Sequence, residues 1–214
     1  STIASRTGLT FTVHLPLDLT LRDGGHSKEQ ARQVISLTRD LPVYAVIVHL
    51  EGWVWANRQG QDIEPDLCQA WFKEARQLLT WLKSQIPSHW KICLENIENT
   101  PADQIPLLMD GLDLHLCIDV GHLLKVRYPD PMAFVQGNLE HCRVIHLHGL
   151  DEDGRDHSSI EKLPADFVDD LLTMLLVNEY DGILTMEVFG ASDFKTSKHA
   201  MLESCNRIGA KWEL

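Results

Sequence analysis

Six short runs dominated by Val, Ile, Leu and Phe recur along the chain, at Phe11 to Leu15, Val43 to Leu50, Lys91 to Glu95, Leu112 to Val120, Arg143 to Gly149 and Ile183 to Phe189. Runs this short, apolar at successive positions, read as strands covered on both faces, the situation of a parallel sheet. The segments between them carry helical spacing. Ser27 to Asp40 opens on a possible Ser cap, and Pro65 to Gln85 places Leu67, Ala70, Trp71, Ala75, Leu78, Leu79 and Leu82 near a 3.6-residue period. Further helices are expected over Pro101 to Met109, Pro131 to His141, Pro164 to Asn178 and Asp193 to Ile208, and proline at or near a helix start suits the first turn. Regular strand and helix alternation gives an α/β fold with a parallel sheet, either a barrel or an open doubly wound sheet. No Gly-rich phosphate-binding turn follows any strand, which weakens the open-sheet nucleotide binder.

A closed (β/α)8 barrel needs eight units and typically about 250 residues, whereas six units are found in 214 residues. The chain also opens on what reads as the last turn of a helix, Ile3 and Ala4 running into Gly8 as a C-cap. The fold expected is therefore a TIM-barrel-like (β/α) fold lacking one or two N-terminal strand-helix units, in a single domain over residues 1–214. Its open edge is either covered by a partner subunit, as in a homodimer, or left open.

Charge narrows the function. With 19 Lys and Arg against 31 Asp and Glu the net charge is −12, the wrong sign for a surface that neutralises nucleic-acid phosphates. No apolar stretch approaches the ~20 residues that span a bilayer and the first residues lack a signal-peptide core, so a cytoplasmic protein without membrane partners is expected. Five cysteines at 68, 93, 117, 142 and 205 form no close pairs and read as buried reduced thiols. Histidine stands out instead, at 11 residues.

Nearly every strand ends on a residue able to bind a metal: His14, His49, Glu95, Asp119, His146 and Glu187. The intervals of 35, 46, 24, 27 and 41 residues each hold one helix and its loops. In a parallel barrel the C-terminal strand ends meet at one face, so these six side chains are expected to converge. Glu95, Asp119 and Glu187 each close an apolar run, and burying an ionised carboxylate costs several kcal/mol unless it is paired or bound to a cation. Few basic residues lie near them in sequence, which favours a divalent ion. A lone His or Glu is more often a hydrogen-bonded core residue, but six at six strand ends form a pattern.

Others extend the set. His122 lies three residues after Asp119, on the first turn beyond that strand, and Asp156 and His157 lie in the polar loop Asp151 to Ser159. His148 shares a strand face with His146; His146 is favoured as ligand and His148 takes a substrate-facing or supporting role. His26, His89, His115, His141 and His199 read as surface or core residues. Trp53 and Trp55 either stack on a flat substrate or pack on a neighbouring helix. Imidazoles mixed with bridging carboxylates suit Zn, Mn or Fe better than Mg or Ca. Two or three divalent ions would accommodate the set, with Glu95 or Glu187 bridging, and such clusters hydrolyse phosphate esters through metal-activated water.

The series Val-His-Leu, Val-His-Leu-Glu-Gly, Leu-Glu-Asn, Ile-Asp-Val-Gly-His, Ile-His-Leu-His, Arg-Asp-His and Met-Glu-Val resembles the xylose-isomerase-like TIM-barrel superfamily, which includes endonuclease IV and many sugar isomerases and epimerases. By resemblance to the endonuclease IV pattern, His14, His49, Glu95, Asp119, His122, His146, Asp156, His157 and Glu187 would be metal ligands. Asp156 and His157 are adjacent here, whereas one residue separates them in that pattern. The stretch Thr-Val-His-Leu-Pro-Leu-Asp-Leu, residues 12–19, looks like the cobamide-remodelling phosphodiesterases (CbiR), which open the nucleotide loop of corrinoids and carry two further strand-helix units before this segment. The expected function is a phosphodiesterase acting on a cobamide, with Glu95, Glu187 and His148 in catalytic roles. The alternative is a divalent-metal sugar or sugar-phosphate isomerase or epimerase using Glu95, Asp119, His146 and Glu187 around one ion. A DNA-repair nuclease is disfavoured by the charge, and a binding module without turnover by the intact ligand set.

Overall fold

A computed structural model describes residues 2–56 and 63–210. The chain forms two compact units, residues 1–117 and 118–214. Six strands follow the chain in the order β1-β2-β3-β4-β5-β6: β1 Phe11–His14, β2 Val43–Val48, β3 Lys91–Glu95, β4 His115–Asp119, β5 Cys142–Leu147 and β6 Ile183–Met186. The pairings β1–β2, β2–β3, β3–β4 and β5–β6 are parallel. Helices alternate with the strands, so this is a TIM-barrel-like α/β fold with six of the eight strands of a full barrel among the described residues.

In the first unit, α1 Thr2–Thr7 ends at Gly8, whose φ of 69° is the left-handed turn read from the sequence. Helix α2 His26–Thr38 starts one residue before Ser27, with Gly25 at its cap. Ser27 is therefore not the cap: the Asp23 carboxylate accepts from the Ser27 N–H (2.6 Å) and hydroxyl (2.5 Å) and from Gly25 N–H (3.0 Å). Helix α3 Pro65–Gln85 has the predicted bounds and buries Trp71, Ala75, Leu78, Leu79 and Leu82, while Leu67 is half-buried and Ala70 exposed. These side chains share the unit's core with Val46, Ile47, Val48, Cys93 and Leu94 of β2 and β3. Helix α4 Gln104–Leu108 is a short piece of the expected segment. Gly52 lies where the loop after β2 meets the loop after β3; a side chain there would collide with the Asn99 carbonyl and Thr100 Oγ1.

Strand β4 crosses the division, its last two residues belonging to the second unit. There α5 Val120–Lys125 follows it directly, with Asp119 as N-cap accepting from His122 N–H (2.7 Å). Helix α6 Pro131–Asn138 ends in a 3₁₀ turn over Leu139–His141. Helices α7 Ala165–Val177 and α8 Ala191–Ile208 pack on each other, burying Leu171, Leu175 and Met201. Asp169 of α7 receives two hydrogen bonds from Arg207 of α8 (2.7 and 2.8 Å) and one from Ser204 (2.5 Å). All five cysteines are free. Among the described residues no helix is long and apolar enough to cross a membrane.

Candidate metal centre

Each unit gathers its own set of donors at strand ends. In the first, His14 ends β1, His49 follows β2 by one residue and Glu95 ends β3. The parallel register sets Val48 beside Leu94, so the next residues, His49 and Glu95, also lie side by side. His49 Nε2 is 2.7 Å from Glu95 Oε2, His14 Nε2 is 3.9 Å from the same oxygen, and the two rings meet edge to face at 5.2 Å. Glu95 is 1% exposed, so its charge sits out of water against imidazoles.

In the second unit, Asp119, His146 and Glu187 offer ligand atoms within 4.8 Å of one another. His146 Nδ1 is 2.9 Å from Glu187 Oε2 and 4.0 Å from Asp119 Oδ2. The β5–β6 ladder sets His146 opposite Thr185, and the Glu187 N–H extends it by bonding the Leu147 carbonyl at 3.0 Å, which holds the Glu187 backbone. Asp119 Oδ1 takes the His122 N–H, and Oδ2 faces His122 Nδ1 (3.6 Å) and His146. Two carboxylates and an imidazole that close together, with Asp119 fully buried, fit a divalent cation.

His148 is wholly buried. Its Nδ1 accepts the backbone N–H of His157 (3.0 Å) and lies 3.2 Å from the Gly149 carbonyl, and its Nε2 is 3.2 Å from Asp119 Oδ1. Burial disfavours a charged ring, but Asp119, the Gly149 carbonyl and Glu187 outweigh it and raise the His148 pKa. His157 supplies that N–H from a left-handed backbone (φ 51°), and its own Nδ1 lies 3.2 Å from the Glu187 carbonyl and 3.9 Å from Glu187 Oε2. The rings of His122, His148 and His157 form a cluster with ligand atoms within 4.8 Å of each other. Asp156 forms a 2.5 Å ion pair with Lys125. Burial raises its carboxyl pKa, and Lys125 more than compensates, leaving it below the ordinary value.

Sequence reading missed three features of this set. Gly121, inside Asp-Val-Gly-His, is glycine because any side chain would strike the His148 ring. Lys125 claims Asp156 across 31 residues, a pairing no local pattern announces. Phe189 reads in sequence as the end of an apolar strand, yet it is 80% exposed and stacks on His157 at 4.3 Å. Of the two tryptophans offered for substrate stacking, Trp55 packs edge to face on Trp71 of α3, and Trp53 lies under the Arg22 guanidinium at 4.1 Å. His26 and His199 are exposed.

Fold and donors together define a TIM-barrel-like β/α protein with candidate metal ligands at its strand ends. The sequence model of the family described as xylose isomerase-like TIM barrel matches residues 1–209, and the chain belongs to that family, whose members are largely enzymes. No functionally curated protein matches it in sequence. Solved structures share the fold. A D-tagatose 3-epimerase-like protein superposes with a TM-score of 0.72 at 20% identity, over 97% of this chain and 81% of its own. D-allulose 3-epimerase from Methylomonas sp., solved with D-allulose, gives 0.61 at 13% identity over 96% and 79%. A xylose isomerase-like TIM barrel protein from Mycobacterium smegmatis, in complex with magnesium, gives 0.58 at 12% identity over 97% and 77%.

Proposed function

We propose that this chain is a divalent-metal-dependent isomerase or epimerase of a small sugar or sugar phosphate. The observation that carries the reading is the Asp119, His146 and Glu187 set, whose ligand atoms lie within 4.8 Å of one another. The two epimerase-type structures that share the fold support it. The family match runs through both units, in support of one domain over residues 1–214. When bound, a divalent ion would polarise a substrate carbonyl and make the neighbouring C–H more acidic. Asp119, His146 and Glu187 would hold it, with Asp119 binding through Oδ2 because Oδ1 already faces the His122 N–H and His148. His148 is then a positioning residue for that carboxylate. Glu187 is the carboxylate proposed to take and return the proton, set 2.9 Å from the His146 imidazole.

A second reading keeps the phosphodiesterase, with a cobamide as substrate. His14 and His49 converging on Glu95, and His122 and His157 beside the other set, supply more imidazoles than one ion needs, in keeping with two or three ions.

Metal content of protein purified without chelator, measured with turnover on D-allulose, bis(p-nitrophenyl) phosphate and a cobamide, separates the two readings. One ion per chain with ketose turnover alone supports the epimerase. Two or three ions with phosphodiester cleavage replaces it, and no bound metal with no turnover removes both.

A further inference from the structure

At the opposite end of the first unit's strands, where α3 ends and β3 and β4 begin, lies a cleft of about 300 Å³. Its floor is apolar, made by Ile86, Trp90 and Ile92, all nearly buried. Its rim is basic, with Lys83, Lys91, His89 and His115 against the single carboxylate Asp113. In a chain of net charge −12 such a grouping runs against the composition. Asp113 is 3.4 Å from Lys83 and largely in solvent, so it screens Lys83 weakly. The Lys91 ammonium rests 4.0 Å over the Tyr44 ring, on a flexible stem that can turn toward the cleft. A further observation points to a ligand: the Trp90 indole N–H is buried and finds no acceptor among the described residues. Buried donors are nearly always satisfied, and this one is a donor only.

We propose that this cleft binds a small organic anion with an apolar body, of which an aromatic carboxylate is the simplest form. The apolar part covers Ile86, Ile92 and the Trp90 ring. The carboxylate lies between Lys83 and Lys91, and one of its oxygens accepts from the Trp90 N–H after a small shift of the rim side chains. The volume is at the lower end of small-molecule sites, which limits the ligand to about one ring. The site is independent of the strand-end donors, so it stands whichever reaction they perform.

The test is a benzoate titration of the full chain followed through the ¹H–¹⁵N indole signal of Trp90, assigned with Trp90→Phe. The expected result is a saturable shift, with affinity at least about tenfold weaker in the Lys83→Ala/Lys91→Ala double variant and for benzyl alcohol, the neutral analogue. A signal that does not move, or that moves equally in the double variant or equally with benzyl alcohol, overturns the proposal.

Discussion

At the scale of single residues, the environment of Glu187 gives the sharpest expectation. Its carboxylate is 2.9 Å from His146, while its backbone is held by the Leu147 carbonyl. Replacing Glu187 by Gln keeps size and removes charge, so turnover should fall at least about 100-fold while the unfolding midpoint changes little; unchanged turnover would remove Glu187 from the site. His148 acts through Asp119, and positioning groups of this kind typically change metal affinity about 10- to 100-fold. His148→Ala should weaken metal binding by that factor. His148→Gln, whose amide can place a donor near Asp119, should recover part of it, a rescue that a loss of packing alone would not give. The glycine before His122 is tied to the same ring. Gly121→Ala inserts a methyl where the His148 ring sits, and overpacking of that kind costs about 1–3 kcal/mol, read as a lower urea midpoint.

At the scale of elements, α7 and α8 are joined by the Asp169, Ser204 and Arg207 contacts. Arg207 and Ser204 hydrogen-bond the carboxylate and hold its pKa below the ordinary value. A depressed carboxylate stabilises the fold above its unfolded pKa, and that contribution disappears as pH falls through the lower, folded value. The unfolding midpoint should therefore drop on acidification below about pH 4, and Asp169→Asn should flatten that part of the profile. An unchanged profile in the variant would assign the acid sensitivity to other carboxylates. The elements also divide by how far they could be read in advance. Helix α3 was legible to the residue because Pro65 opens it, Ile86-Pro87 closes it and its apolar spacing holds from Leu67 to Leu82. Strand β3 was equally legible, bounded by Trp90-Lys91 and Glu95. The other strands stop short of their apolar runs: Leu50 continues only as an isolated bridge to Leu19, and Val188 and Phe189 lie past the β6 ladder. Apolar residues continue to be useful beyond the last ladder bond, so hydrophobicity alone overshoots strand ends. The order of donor-bearing strand ends was legible because it follows from connectivity. The Lys125–Asp156 pair and the contact of His157 N–H with His148 Nδ1 were not, because both depend on backbone and side-chain geometry between residues apart in sequence.

At the scale of the whole molecule, the carboxylates Glu95 and Asp119, one in each unit, are almost completely removed from water, so cations that compensate either should bind the folded chain far better than the unfolded one. Mn²⁺ or Zn²⁺ should stabilise the fold by about 2.7 kcal/mol at one hundred times the dissociation constant, read as a concentration-dependent rise in thermal midpoint that chelator reverses. Asp119→Asn should abolish most of that rise; a midpoint indifferent to metal would sink the metal reading altogether.

The loop that follows His49 passes so near the backbone beyond Glu95 that the residue at position 52 has no room for even a methyl group. Trp53 under Arg22 and Trp55 against Trp71 are held by side chains that can adjust to a replacement, but position 52 faces backbone and is closed to every other amino acid. A saturation library across residues 50–56 should return glycine alone at position 52, apolar residues alone at the buried positions 50 and 54, and the widest substitution at the exposed position 56.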